Sequence, residues 1–107
     1  IFGAQSDKQH LDMFLELKSL AIKVYACSSA HPRSANCEDL LSAAKEAGVI
    51  AECYDSTTDA LSAALADSGD AGAVVATGSL FVAAEIRQEL GLGEYVDPIL
   101  IPKPSFP

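Results

Sequence analysis

The side chains best suited to chemistry in this chain form a small basic and hydroxyl set: Lys8, Arg33, His31 and Ser79, with Asp7 and Gly78 beside them. Only seven of 107 residues are Lys or Arg, so a cation in a loop is informative. Lys8 offers a compact charge, and Arg33 a planar fork that matches a carboxylate or phosphate. The run from Ala73 to Arg87 reads as a buried strand that turns through Thr77-Gly78-Ser79 into an amphipathic helix. Such a turn aims free backbone N–H groups, the positive end of the helix dipole and two hydroxyls at the carboxyl edge of a sheet, where anions bind. The chemistry is therefore recognition of a phosphate or carboxylate.

Each residue also has a plainer role. Ser79 and Asp7 are good helix caps. Arg33 can pair with a surface carboxylate. His31, before Pro32, reads most simply as an exposed histidine rather than an acid or base. Lys8 suits a solvated first helical turn, although a cation is electrostatically misplaced there. Gly78 lets the backbone approach another group closely.

The elements that would position these residues alternate regularly. Ile1 to Ala4 reads as a strand, and Ser6 as the cap of a helix carrying Leu11, Phe14, Leu15 and Leu17. Ala21 to Cys27 is a second strand, and Asn36 caps a helix through Leu40, Leu41, Ala44 and Ala47 that Gly48 stops. Val49 to Tyr54 is a third strand; Ser56-Thr57-Thr58-Asp59 opens a helix, with Leu61, Ala64 and Leu65, that ends at Ser68-Gly69-Asp70. Gly72 to Ala76 and Ser79 to Leu90 complete the fourth pair, before a break at Gly91-Leu92-Gly93. Pro98 to Pro102 suits a short edge strand, with a Pro-rich tail behind it. This alternation predicts an α/β fold: a mostly parallel sheet, helices on both faces, and the functional residues in the loops after the strands.

Composition narrows the function classes. Half the residues are hydrophobic and 21% charged, as in a single folded domain. No apolar run approaches the roughly 20 residues that span a bilayer, so no membrane segment is expected. A net charge of −8 argues against nucleic acid, which demands a clustered cationic surface. Cys27, Cys37 and Cys53 form no Cys-x-x-Cys pair and cannot all be bridged; reduced thiols in a cytoplasmic protein are the simpler account, with Cys27 and Cys53 as small core fillers at strand ends. Cys27 and His31, four apart, lack a second metal-like pair, so no metal site is expected. The chain opens on Ile1-Phe2-Gly3-Ala4 without Met or signal-peptide core, and reads as part of a longer protein.

Three motifs then carry a resemblance. Phe2-Gly3-Ala4-x-x-Asp7-Lys8, His31-Pro32-Arg33-Ser34-Ala35, and Thr77-Gly78-Ser79-Leu80-Phe81-Val82-x-x-Glu85-Ile86-Arg87 together resemble the C-terminal domain of folylpolyglutamate synthase/dihydrofolate synthase, of the Mur ligase superfamily. They keep the family's order and spacing over residues 1 to about 92. The resemblance implies a Rossmann-like three-layer domain over residues 1–95, with an edge strand and tail over 96–107. It also implies an upstream ATPase domain outside this chain. The implied activity is ATP-dependent, Mg2+-assisted addition of L-glutamate to dihydropteroate or a folylpolyglutamate through an acyl phosphate. By the same resemblance Lys8 would lie near the incoming amino acid or the transferring phosphate, and Arg33, Gly78 and Ser79 would line the cleft facing the ATPase domain. No residue of the set is assigned to the bond-making step. The chain has no Gly-x-x-x-x-Gly-Lys-Ser/Thr phosphate loop, so alone it is expected to be inactive; ATP and Mg2+ would be bound mainly by the upstream domain.

Two other classes share the alternation. A signalling receiver domain would use Asp55, Thr77 and Lys103-Pro104, but it needs an acidic pair after its first strand, where this chain has Gln5-Ser6-Asp7. A non-catalytic module for a small molecule or partner is the third reading.

Overall fold

A computed structural model describes residues 1–92. The expected edge strand and tail, 96–107, lie outside them. The described chain is a small α/β unit: α1 (His10–Leu17), β1 (Val24–Cys27), α2 (Cys37–Ala47), β2 (Ala51–Tyr54), α3 (Thr57–Ser68) and α4 (Leu80–Glu89). β1 and β2 pair in parallel, Val24 opposite Ala51 and Cys27 opposite Tyr54.

Two expected strands appear as single parallel bridges rather than ladders. Phe2 bridges Ala26 on one side and Thr77 on the other. The Phe2 N–H donates to the Tyr25 carbonyl at 2.9 Å, the Cys27 N–H donates to the Phe2 carbonyl at 3.0 Å, and the Thr77 N–H donates to the Ile1 carbonyl at 2.9 Å. Residues 1–4 thus run between β1 and the 73–77 segment. Val75 is 68% exposed, so the fourth strand is weaker than its apolar sequence suggests: it lacks a described neighbour on its outer side to hold it in a ladder.

β1 sends alternate side chains to two cores. Val24 and Ala26 join Phe2, Phe14, Leu40 and Ala44, which belong with α1 and α2. Tyr25 and Cys27 join Ile1, Leu61, Ala64, Val82 and Ile86, which belong with α3 and α4. This alternation is the pleat of a strand covered on both sides. The Phe2 and Phe14 rings meet at 4.8 Å between centroids.

Three helices begin where sequence places their caps. Asn36 Oδ1 accepts from the Asp39 N–H, Ser56 Oγ from the Asp59 N–H, and Ser79 Oγ from the Phe81 N–H. Gly48 ends α2 in the left-handed region at φ 79°. α1 departs from expectation: it starts at His10, its cap Gln9 makes no side-chain bond, and neither Ser6 nor Asp7 caps it. The cause is tertiary. Gln5 bridges Ser34 in antiparallel fashion, and the Ser6 N–H donates to the Arg33 carbonyl at 2.8 Å, so residues 5–8 are drawn into the next loop before the helix can begin.

The cysteines also depart from the reduced state expected of them. Cys37 and Cys53 form a disulfide with Cα atoms 5.7 Å apart, and Cys53 is exposed rather than a core filler. Cys27 alone is a free, buried thiol among the described residues. Among those residues, no helix is long and apolar enough to cross a membrane.

Candidate functional site

The carboxyl ends of the extended segments carry the predicted residues, and the structure gathers about half of them. Lys8, Gly78 and Ser79 line one small cleft of about 240 Å³ together with Gln5, Leu80 and Phe81. Lys8 reaches it from the turn before α1, in which the Lys8 N–H donates to the Gln5 carbonyl at 3.2 Å. Gly78 and Ser79 reach it from the turn into α4. Lys8 therefore lines the same cleft as the N-terminus of a ten-residue helix, a pairing of positive groups that an anion would relieve.

Gly78 has a firmer reason to be glycine than an approaching ligand. Its φ is 100°, and a Cβ built there would lie 2.4 Å from the Gly3 carbonyl oxygen and 2.7 Å from the Phe2 ring. The close approach expected of it is thus made to the neighbouring segment, and it fixes the turn's position. Gly3 answers it: a Cβ there would meet the Cys27 carbonyl oxygen and Val82 Cγ2, both at 2.6 Å.

His31 joins the edge of this cleft. Its ring stacks on Phe81 with centroids 4.0 Å apart and planes 30° from parallel, so it is half-buried instead of simply exposed. The Arg33 N–H donates to His31 Nδ1 at 3.1 Å, which leaves Nε2 to carry the proton of the neutral ring. Arg33 itself is exposed, outside the cleft, and among the described residues its side chain makes no ion pair. Asp7 is exposed and does not line the cleft. Both stay beside the site through the backbone: Asp7 precedes Lys8, and Arg33 is linked to His31 through its N–H and to Ser6 through its carbonyl.

The 28–36 loop is held by its own hydroxyls. Ser28 Oγ donates to the Ala35 carbonyl at 2.6 Å, Ser29 and Ser34 share a hydrogen bond of 2.5 Å, and the His31 N–H donates to Ser29 Oγ at 3.3 Å. A carboxylate outside the predicted set completes the frame. Glu85 on α4 accepts from the Ala30 N–H at 2.7 Å and from the hydroxyl of buried Thr57 at 3.0 Å. It ties α4 to the loop after β1 and to the first residue of α3. Its position six residues past Ser79, on the inner side of α4, was the available signal, but its partners are 28 and 55 residues away in sequence.

A larger cleft of about 580 Å³ lies at the opposite, amino-terminal end of the segments, among Leu17, Ile22, Val24, Ala64, Val74 and Val75. Three of its polar side chains are tied together: Lys23 pairs with Asp67, and also with Glu52 outside the lining, and the Tyr25 hydroxyl donates to Asp67 at 2.7 Å. Those partners hold the Asp67 carboxyl below its ordinary pKa. At the carboxyl-end cleft, by contrast, Lys8 makes no ion pair among the described residues. Among the described residues no group of three His, Cys, Asp or Glu gathers as a metal site would require.

No family model matches the chain, and neither a curated protein nor a solved structure matches it.

Proposed function

We propose that this chain is the amino-acid-binding domain of an ATP-dependent ligase of the Mur type. In this reading it joins L-glutamate to a pterin or folate acid, dihydropteroate or a folylpolyglutamate, in the cytoplasm, and acts with an ATPase domain upstream in the same polypeptide. The observation that carries the proposal is the sharing of one cleft by Lys8 and the Gly78-Ser79 helix start. A glutamate carboxylate or a transferring phosphate would be neutralised there by the ammonium, the Ser79 hydroxyl and the free amides of α4.

The pairing order supports it over a receiver domain. Taking the extended segments in chain order as 1–4, β1, β2 and 73–77, the bridges run third, second, first, fourth. That is the start of a Rossmann-like order, whereas a receiver places its first strand between its second and third. With α1 and α2 on one core and α3 and α4 on the other, a three-layer Rossmann-like arrangement is the natural reading.

The residues present suit only part of the cofactor chemistry. ATP would supply the phosphoryl group that activates the acceptor carboxylate; the chain has no phosphate loop, so the nucleotide and Mg2+ fall to the upstream domain. Lys8 and the α4 start would hold the incoming amino acid or steady the developing negative charge. The His31–Phe81 stack would wall the cleft against water, and Glu85 would keep that wall in register.

In the full-length protein, Lys8→Ala should lower turnover with glutamate at least about tenfold, in the range of losing one preorganised charge at a reacting centre. Arg33→Ala should do less, because its side chain stands outside the cleft. Steady-state kinetics at saturating ATP tests this, and unchanged turnover for Lys8→Ala overturns the assignment.

A further inference from the structure

The Cys37–Cys53 bridge sits at a junction the ligase reading does not use. Cys37 is the first residue of α2, directly after the Asn36 cap and the loop that carries His31 and Arg33. Cys53 lies on β2, exposed, while Cys37 is half-buried with its sulfur 3.3 Å from the Ala26 carbonyl oxygen. Cys53 is therefore the more exposed residue of the pair and the one more open to an external thiolate. The sulfur that departs, Cys37, lies in the first turn of a helix, where unpaired amides and the helix dipole favour a thiolate. Glu38 and Asp39 in the same turn are exposed, and their opposing charge is screened by water. The helix does not depend on the bridge: Leu40, Ala44 and Ala47 bury its apolar face, and Asn36 caps it.

We propose that Cys37–Cys53 is a thiol-exchange site, open to a dithiol reductant in the folded protein, whose state sets how firmly the first turn of α2 is held. The thiolate of the reductant attacks Cys53 Sγ, forming a mixed disulfide as the Cys37–Cys53 bond breaks and Cys37 leaves with the electron pair. The second thiol of the reductant then attacks the mixed disulfide and releases Cys53. Two electrons and two protons pass to the protein, which gains two thiols, and the reductant leaves as its own disulfide. This proposal is independent of the ligase reading.

Cys27 supplies an internal control. It is fully buried, and burial pushes its thiol up to about 11, so it stays protonated and shielded in the fold. The test is native-state treatment of the chain with dithiothreitol, then N-ethylmaleimide, read by intact and peptide mass. Oxidised protein should take no label, and reduced protein two, at Cys37 and Cys53; Cys27 should label only on unfolding. Limiting glutathione should leave its adduct on Cys53. Hydrogen exchange at the Asp39 and Leu40 amides, which close the turn onto Asn36, should quicken on reduction, and Cys37→Ser should show the fast rate with or without reductant. A bridge that resists dithiothreitol until the protein unfolds, an adduct on Cys37, or exchange at Asp39 and Leu40 that ignores redox state would each overturn the proposal.

Discussion

At the scale of single residues, the turn at Gly78 shows how a fold and a site can make the same demand. Its backbone is in the left-handed region, and the space a methyl would need is filled by the Gly3 carbonyl and the Phe2 ring. Gly78→Ala should therefore cost more than about 2 kcal/mol, combining backbone strain with overpacking. Gly91→Ala is the comparison: it shares a positive φ of 77° but meets nothing within 4 Å among the described residues, so only the conformational cost of about 1 kcal/mol applies. Chemical denaturation of both variants checks the difference. Asp67 carries a second expectation, this one in pH. The Tyr25 hydroxyl and the Lys23 ammonium lower its pKa in the fold. Its contribution is thus fully present above the unfolded value, near 4, and lost as pH falls through the lower folded value. Denaturation midpoints measured from neutral pH to about pH 3 should fall less steeply for Asp67→Asn than for the parent chain.

At the scale of elements, the caps carry testable weight. Asn36→Ala should destabilise the protein by about 1 kcal/mol, and Ser79→Ala by a similar amount, with Asn in place of Ser79 restoring most of the loss; thermal unfolding reads all three. These caps were legible in sequence because a cap is local chemistry: a short polar side chain reaches an amide two or three residues on. Gly48 was legible for the same reason. What sequence missed depended on distant partners. The cap of α1 moved from Ser6 to Gln9 because Gln5 and Ser6 bond to Ser34 and Arg33. The disulfide was missed because it arises from the placement of the start of α2 against β2. The role of Glu85 likewise required knowing that Ala30 and Thr57 meet α4. Of the candidate site, Lys8, Gly78 and Ser79 were legible because they lie at the carboxyl ends of strand-like segments. Arg33 and Asp7 lie at the same end, yet a loop position alone does not decide which way a side chain turns.

At the scale of the whole molecule, a chain with net charge −8 keeps a cation and a helix start together in one cleft. An acidic surface repels anions at long range, so a local positive pair selects a ligand able to reach it at close quarters. A glutamate handed over from an adjoining domain would meet that condition. The most direct test is ATP-dependent phosphate release by the full-length protein, with L-glutamate and either dihydropteroate or a reduced folate, each omitted in turn. Release that requires ATP, glutamate and a pterin acid together is the predicted result. Absence of release with every pterin acid, from a folded protein that binds ATP, would contradict the account.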